Sequence, residues 1–160
     1  MEVLSRILEL LDEADVDFRR LEHDPTPTSE DSARVRGESL EIGGKAIVFK
    51  ADEDFHILVI SAACRLKSSR LKRTLGARKL RFATSDELLE LTGLVPGSVP
   101  PFGTPVLPLP LHVDRSIMDQ TRIAFNAGSL TNSIIMDRDD WYQIAGNPTV
   151  VDVATPNDVS

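Results

Sequence analysis

The stretch GGKAIVFKADEDFHILVIS, residues 43–61, holds two runs of β-branched and aromatic side chains, KAIVFK at 45–50 and FHILVIS at 55–61. The acidic segment ADED separates them, so together they predict a β-hairpin. Toward the N-terminus, Val3, Leu4, Ile7, Leu8, Leu10 and Leu11 recur at three- and four-residue spacing and predict an amphipathic helix over 2–13. Val16, Phe18 and Leu21 predict a short strand that ends at His23-Asp24-Pro25. After the prolines of HDPTPTSED, Ser29, Glu30 and Asp31 open a helix over 30–36 that Gly37 stops. Toward the C-terminus, Leu66, Leu71 and Leu75 stripe a basic helix from about 67 to 75, ended by Gly76. A strand KLRFAT follows, then a helix capped by Thr84-Ser85-Asp86-Glu87 that runs through Leu91 to Gly93.

Residues 93–110, GLVPGSVPPFGTPVLPLP, carry six prolines and three glycines. Proline removes amide donors and glycine tolerates unusual dihedrals, so no regular element fits here. Its apolar side chains Leu94, Val95, Val99, Phe102, Val106, Leu107 and Leu109 suit a packed loop better than a tether between domains, and a rigid loop with unpaired amides is a natural cradle for a ligand oxygen. The last third reads as strand LPLHVD, a turn or short helix over 115–119, strands RIAFNAG and TNSIIM, helix DRDDWYQIAG and strand TVVDVA. The alternation predicts an α/β (α+β) chain. One domain over 1–160, with a core at about 15–153, about seven strands and four or five helices, is the simplest organisation.

The chain has 160 residues, a net charge of −7 and 41% hydrophobic residues, which is ordinary globular composition and excludes a disordered or fibrous protein. Its first residues lack a signal peptide's basic and apolar regions, and no apolar run is long enough to span a membrane. The single cysteine, Cys64, fits a reducing compartment, so a cytoplasmic location with no membrane partner is expected. Eight of the 18 lysines and arginines fall between Arg65 and Ser85, a stretch without one acid. The run admits two readings, one solvated helix face or a docking patch for phosphates.

Several motifs fail. GESLEIGGKA departs from a phosphate-binding loop because Ser39 stands where its first glycine is needed and Ala46 replaces the hydroxyl that binds a metal. His23, His56 and His112 have no paired ligand spacing, so neither a metal nor a cofactor is expected. His56, inside an alternating strand, reads as a packed or solvent-facing strand residue. Lys45 follows Gly43-Gly44 and opens an apolar strand. A lysine there is either solvated or a partly desolvated cation beside a ligand, and it is the candidate electrophile.

The order His23-Asp24-Pro25, GGKAIVFK, the basic helix, TSDELLELTGLVPGSVPPFG, LHVD and FNAGSLTNSIIM resembles the YbaK family over about residues 15–145. That family comprises free-standing aminoacyl-tRNA deacylases and the editing domain inserted into bacterial prolyl-tRNA synthetases. The resemblance implies a mixed, barrel-like β-sheet wrapped by helices, and a pocket at Lys45, the Gly97–Pro101 loop and Gly128. It implies hydrolysis of the ester between a wrong amino acid and the 3′ end of tRNA, without a metal, by positioning water and stabilising the oxyanion. Ala46, Ser98, Val99 and Asn126 would line the acyl site, His23 and Asp114 its mouth, with Ser133 where one branch carries an acid. Ala46 and Ser133 depart from better-known branches, so alanine, cysteine and serine, plausibly on tRNA-Pro, all stand as substrates. Lys67, Arg70, Lys72, Arg73 and Arg78 become candidates for acceptor-stem phosphates, and a synthetase is a possible partner; DNA is not expected to be one. Phe102, Phe125, Trp141 and Tyr142 are expected to pack rather than stack on a base. Two other classes of function stand beside this one: a non-catalytic module that binds an aminoacylated end or an amino-acid-like ligand, and an interaction protein that uses the basic helix on an acidic partner.

Overall fold

The computed structural model describes residues 2–26 and 28–157. In chain order its elements are α1 (Val3–Ala14), β1 (Phe18–Glu22), α2 (Ser29–Arg36), a short 3-10 turn at Leu40–Ile42, β2 (Gly44–Ala51), β3 (Asp54–Ser61), β4 (Cys64–Leu66) and α3 (Ser68–Leu75). They continue with β5 (Leu80–Phe82), α4 (Ser85–Thr92), β6 (Leu111–Asp114), α5 (Arg115–Met118), β7 (Arg122–Asn126), β8 (Asn132–Asp137), α6 (Arg138–Ile144), β9 (Thr149–Val151) and β10 (Ala154–Pro156). The expected hairpin is β2–β3, antiparallel with Lys45 opposite Ile60 and Ala51 opposite Asp54. Its turn shrinks to Asp52-Glu53, where Asp52 takes a left-handed conformation and its carboxylate accepts the Arg78 and Lys79 N–H groups. That contact draws β5 alongside β2.

The hairpin is apolar on both faces because it is covered on both. Val48, Ile57 and Val59 point into the main core with Ile7, Leu11, Val113, Ile123 and Trp141. Phe49, Leu58 and Ile60 point the other way and meet Leu71 of α3 with Val151 and Val153. A strand buried on both sides reads as a continuous apolar run rather than an alternating one.

β2 and β3 form the middle of a mixed five-stranded sheet ordered β5-β2-β3-β6-β9, in which β3, β6 and β9 run parallel. A second sheet, β1-β8-β7, is antiparallel, and β4 pairs with β10. The mixed α/β architecture is as the sequence implies. Ten strands are present among the described residues rather than about seven, because three-residue strands such as β4 and β10 are too short to show a period. The sheets do not close into a barrel; a single parallel bridge, Gly43 to Ala124, links the large sheet to the second one.

The 93–110 segment packs largely as expected, with Leu94, Val99, Phe102, Val106, Leu107 and Leu109 buried, but Val95, expected to pack with them, is exposed. Phe102 meets Phe125 edge to face at 5.6 Å, and the Trp141 Nε1–H donates to the Pro101 carbonyl at 2.9 Å. These aromatic residues are core, as expected.

His56 is packed: its ring stacks on Phe49 at 5.2 Å, and its Nδ1 lies 3.0 Å from His112 Nε2. The buried His112 Nδ1 has no partner among the described residues. Burial holds both imidazoles below their ordinary pKa; Asp54 opposes this at His56, and His56 adds to it at His112. The folded chain therefore takes up these protons at lower pH than the unfolded chain, whose histidines titrate near about 6.5. Stability should be flat above about pH 7 and fall as the pH drops below about 6.5. Denaturant midpoints at pH 7.5 and 5.5 check this, and a His56→Gln/His112→Gln protein should show a smaller difference between the two.

Candidate active site

Two cavities, of about 620 and 500 Å³, meet at the start of β2. Lys45, Ala46, Ala62, Ser29, Pro96, Gly97 and Val99 line both. The hairpin places Lys45 there, where the apolar run begins and the strand emerges from between its two cores, and its side chain is exposed. The glycines before it serve the protein's own packing. A Cβ on Gly44 would lie 2.9 Å from Ile123 Cδ1, and one on Gly43 would lie 3.0 Å from Ala62 Cβ.

Across the junction stands the Gly97 loop. Gly97 has φ +88°, a conformation that side-chain-bearing residues rarely adopt. Its carbonyl accepts from Asn126 Nδ2 at 2.7 Å. The Ser98 N–H turns back to Val95 O, as does the Ser98 hydroxyl, whereas the Gly97 and Val99 N–H groups have no acceptor among the described residues. Both residues line the two cavities with Lys45, and unpaired amides beside an ammonium are a donor set suited to the oxygen that becomes negative when an ester is attacked.

Behind Asn126 lies a residue that sequence reasoning missed. Arg36, the last residue of α2, is only 8% exposed and lines the smaller cavity. Its Nε donates to Ser133 Oγ at 2.9 Å and its Nη2 to Asn126 Oδ1 at 3.0 Å. Burial lowers its pKa to about 10, so it stays a cation at neutral pH. Because Arg36 holds Oδ1, Asn126 must turn its amide group to Gly97. His23 closes the other branch: its Nδ1 donates to the Asp24 carbonyl at 2.9 Å, and its Nε2 is hydrogen-bonded to the Ser133 hydroxyl at 2.8 Å. The signal for Arg36 was present as a helical face of Ser29, Ser32, Ala33 and Arg36, polar where a helix normally buries apolar side chains.

The structure thus brings together Lys45, Ala46, Gly97, Val99 and Asn126, with Ser133 and His23 behind them. It does not bring the others in. Ser98 is buried and engaged by Val95, and Pro101 is held by Trp141. Gly128 lies against α1, where a Cβ would come within 2.7 Å of Val3 Cγ1. Asp114 is 1% exposed, accepts from Ser116 and Val153 N–H, and borders a separate cavity. Cys64 lines the larger cavity, but burial raises its thiol pKa, which disfavours the thiolate. Lys67, Arg70, Lys72, Arg73 and Arg78 lie on or beside α3, outside the two cavities. Ion pairs among the described residues engage Arg19, Arg20, Arg34, Arg81, Arg115, Arg122 and Arg138, and none engages those five.

Lys45 and the Gly97 loop thus stand on two sides of one cleft. The model of the aminoacyl-tRNA editing domain matches residues 23–144, and the chain belongs to that family. It is accordingly an enzyme of the aminoacyl-tRNA deacylase class. The chain is 36% identical over 149 residues to the multifunctional Ser/Thr-tRNA deacylase ProXp-y of Escherichia coli (strain K12), covering 88% of this chain and 87% of that protein. It is 21% identical to the prolyl-tRNA editing protein ProX of Acetoanaerobium sticklandii, covering 90% and 91%. The crystal structure of the hypothetical protein APE2540 matches with a TM-score of 0.82 at 25% identity, over 94% of this chain and 99% of that one. No helix among the described residues is long and apolar enough to cross a membrane.

Gly97 and Gly146 share nearly the same positive φ, +88° and +89°. Alanine at either should cost about 1–3 kcal/mol in backbone strain. Only Gly97→Ala should also abolish ester hydrolysis, because it alone shifts amides of the site. Thermal unfolding and deacylation assays on both variants check the separation.

Proposed function

We propose that this protein removes a small amino acid from mischarged tRNA, with the ester lying at the junction of the two cavities. The observation that carries the reading is that Lys45, Gly97 and Val99 line the same two cavities and that the Gly97 and Val99 N–H groups have no acceptor among the described residues. A water attacks the acyl carbonyl, the carbonyl oxygen takes up negative charge beside these donors, and the ribose hydroxyl leaves with a proton. An ester is activated already, so orientation and charge stabilisation supply most of what the step needs, and neither a protein nucleophile nor a metal is required.

Alanine, cysteine and serine fit this reading, with tRNA-Pro as the carrier; hydroxyl groups of Thr26, Thr28, Ser29 and Ser32 around the smaller cavity favour serine among them. The activity named for the Escherichia coli relative, on Ser/Thr-tRNA, supports the same choice. The acceptor stem lies along α3, whose uncompensated cations Lys67, Arg70, Lys72 and Arg73, with Arg78, meet its phosphates. Such contacts position a substrate without specifying it, so a synthetase that presents the tRNA is a natural partner.

Hydrolysis of tRNA charged with alanine, cysteine, serine and proline, by wild type and Lys45→Ala, tests the reading. Loss of one charged species with wild type, slowed about 10²- to 10³-fold by a Lys45→Ala protein that still folds, is expected. If wild type cleaves no ester faster than the uncatalysed rate, even with a synthetase added, the site is that of a binding module. For α3, Arg70→Glu/Arg73→Glu should weaken tRNA binding and flatten its dependence on salt, while hydrolysis of a short aminoacylated 3′-end mimic is unchanged.

A further inference from the structure

Arg36 does more than its two hydrogen bonds require. It is more than nine-tenths buried, no carboxylate among the described residues pairs with it, and both of its acceptors, Ser133 and Asn126, are neutral. The other buried ionisable side chain, Asp114, has both carboxylate oxygens occupied by backbone N–H groups. Arg36 instead keeps Nη1 without an acceptor among the described residues, in a side chain that lines the smaller cavity and lies 3.8 Å from the space a Cβ on Gly43 would fill. Nη1 is not one of the buried side-chain atoms left unpaired, so it is reached from the cavity, where an acceptor on a ligand can take its hydrogen.

The two cavities differ in what they suit. The larger is lined by Phe82, which is 53% exposed, and by Arg65 of β4, the strand that precedes α3. On the deacylase reading the RNA end enters by this cavity. With the ester at Lys45, the part of the substrate that enters the smaller cavity is the amino acid, and its phosphodiester stays on the far side of the ribose.

Resting on the deacylase reading above, we propose that Arg36 is a specificity-determining residue: its Nη1 donates to a hydroxyl oxygen on the side chain of the acyl group. The site is then selective for a small hydroxylated amino acid, because an apolar isostere leaves the guanidinium unmatched. Sites built to hydrogen-bond a substrate hydroxyl reject the analogue that lacks it far more strongly than apolar pockets reject a missing methylene.

The test needs no variant at first. Seryl and 2-aminobutyryl esters of the same tRNA differ by an OH exchanged for a CH₃ of similar size, and wild type should prefer the seryl ester by about 10²-fold or more in kcat/KM. Equal rates would overturn the role of Arg36 while leaving the deacylase intact, whereas failure to cleave either ester, or alanyl-tRNA, would overturn the deacylase reading itself. Arg36→Lys should then lower the seryl rate at least about tenfold more than the 2-aminobutyryl rate, so that the seryl preference collapses whatever both rates lose through Asn126 and Gly97. An equal fall in both rates would make Arg36 a prop for Asn126 and Gly97 only, and overturn the proposal. Ser133→Ala, which removes the Nε acceptor and the partner of His23 but leaves Nη1 in place, should keep the seryl preference. Competitive inhibition by inorganic phosphate that Arg36→Lys removes would assign Nη1 to an anion, and that also overturns it.

Discussion

The candidate site depends on one constraint, the burial of the β2–β3 hairpin on both faces. From Ile47 to Ala51 every side chain of β2 but that of Lys50 is claimed by one of two cores, so the strand has no room for chemistry along its length. Only its beginning escapes. Lys45 stands there with a cation at the edge of two apolar layers, and the close approach of Gly44 to Ile123 and of Gly43 to Ala62 fixes where the strand emerges. Moving the lysine inward by two residues would place it under α3, in the position of Ile47.

Facing it, the Gly97 loop owes its shape to polar contacts as much as to packing. Its proline-rich continuation is pinned by Phe102, Leu107 and the Trp141 bond to Pro101. Its Gly97 peptide is set by Asn126, and Asn126 is set by Arg36. A buried guanidinium thus orients a carboxamide, which orients a carbonyl, and with it the amides presented to a substrate. His23 and Ser133 close the other arm of this network, so the second sheet contributes through Asn126 and Ser133 to a site whose cation comes from the first. A lowered dielectric strengthens such a fully bonded chain and makes a broken one expensive.

Much of this was legible in the sequence because it rests on local patterns. The hairpin, the helix start at Thr84, the second helix (read as opening at Ser29, one residue after its Thr28 cap), the packed loop over 93–110 and the packing role of Phe102 and Trp141 all follow from periodicity, caps and proline. Lys45 was legible from its place after Gly43-Gly44 at the head of an apolar strand, Ala46, Gly97 and Val99 were reached through the resemblance, and the structure gathers them. Pro101, Gly128 and Asp114 belong to the same motifs, yet Trp141, α1 and the backbone around α5 claim them, partners distant in sequence. Arg36 was missed for the related reason that its meaning lies in Ser133 and Asn126, about ninety residues away. The open sheets were not legible either, since closure depends on which edges β5 and β9 leave unpaired.

A crystal structure of the protein with a seryl-adenosine analogue, its ester replaced by an amide, would test the central claim most directly. The acyl carbonyl oxygen is predicted to lie within hydrogen-bond reach of Lys45 Nζ and the Gly97 or Val99 N–H, with the amino-acid side chain in the cavity that Arg36 lines. An analogue seated elsewhere, or with its carbonyl turned away from both Lys45 and the Gly97 loop, would contradict the account.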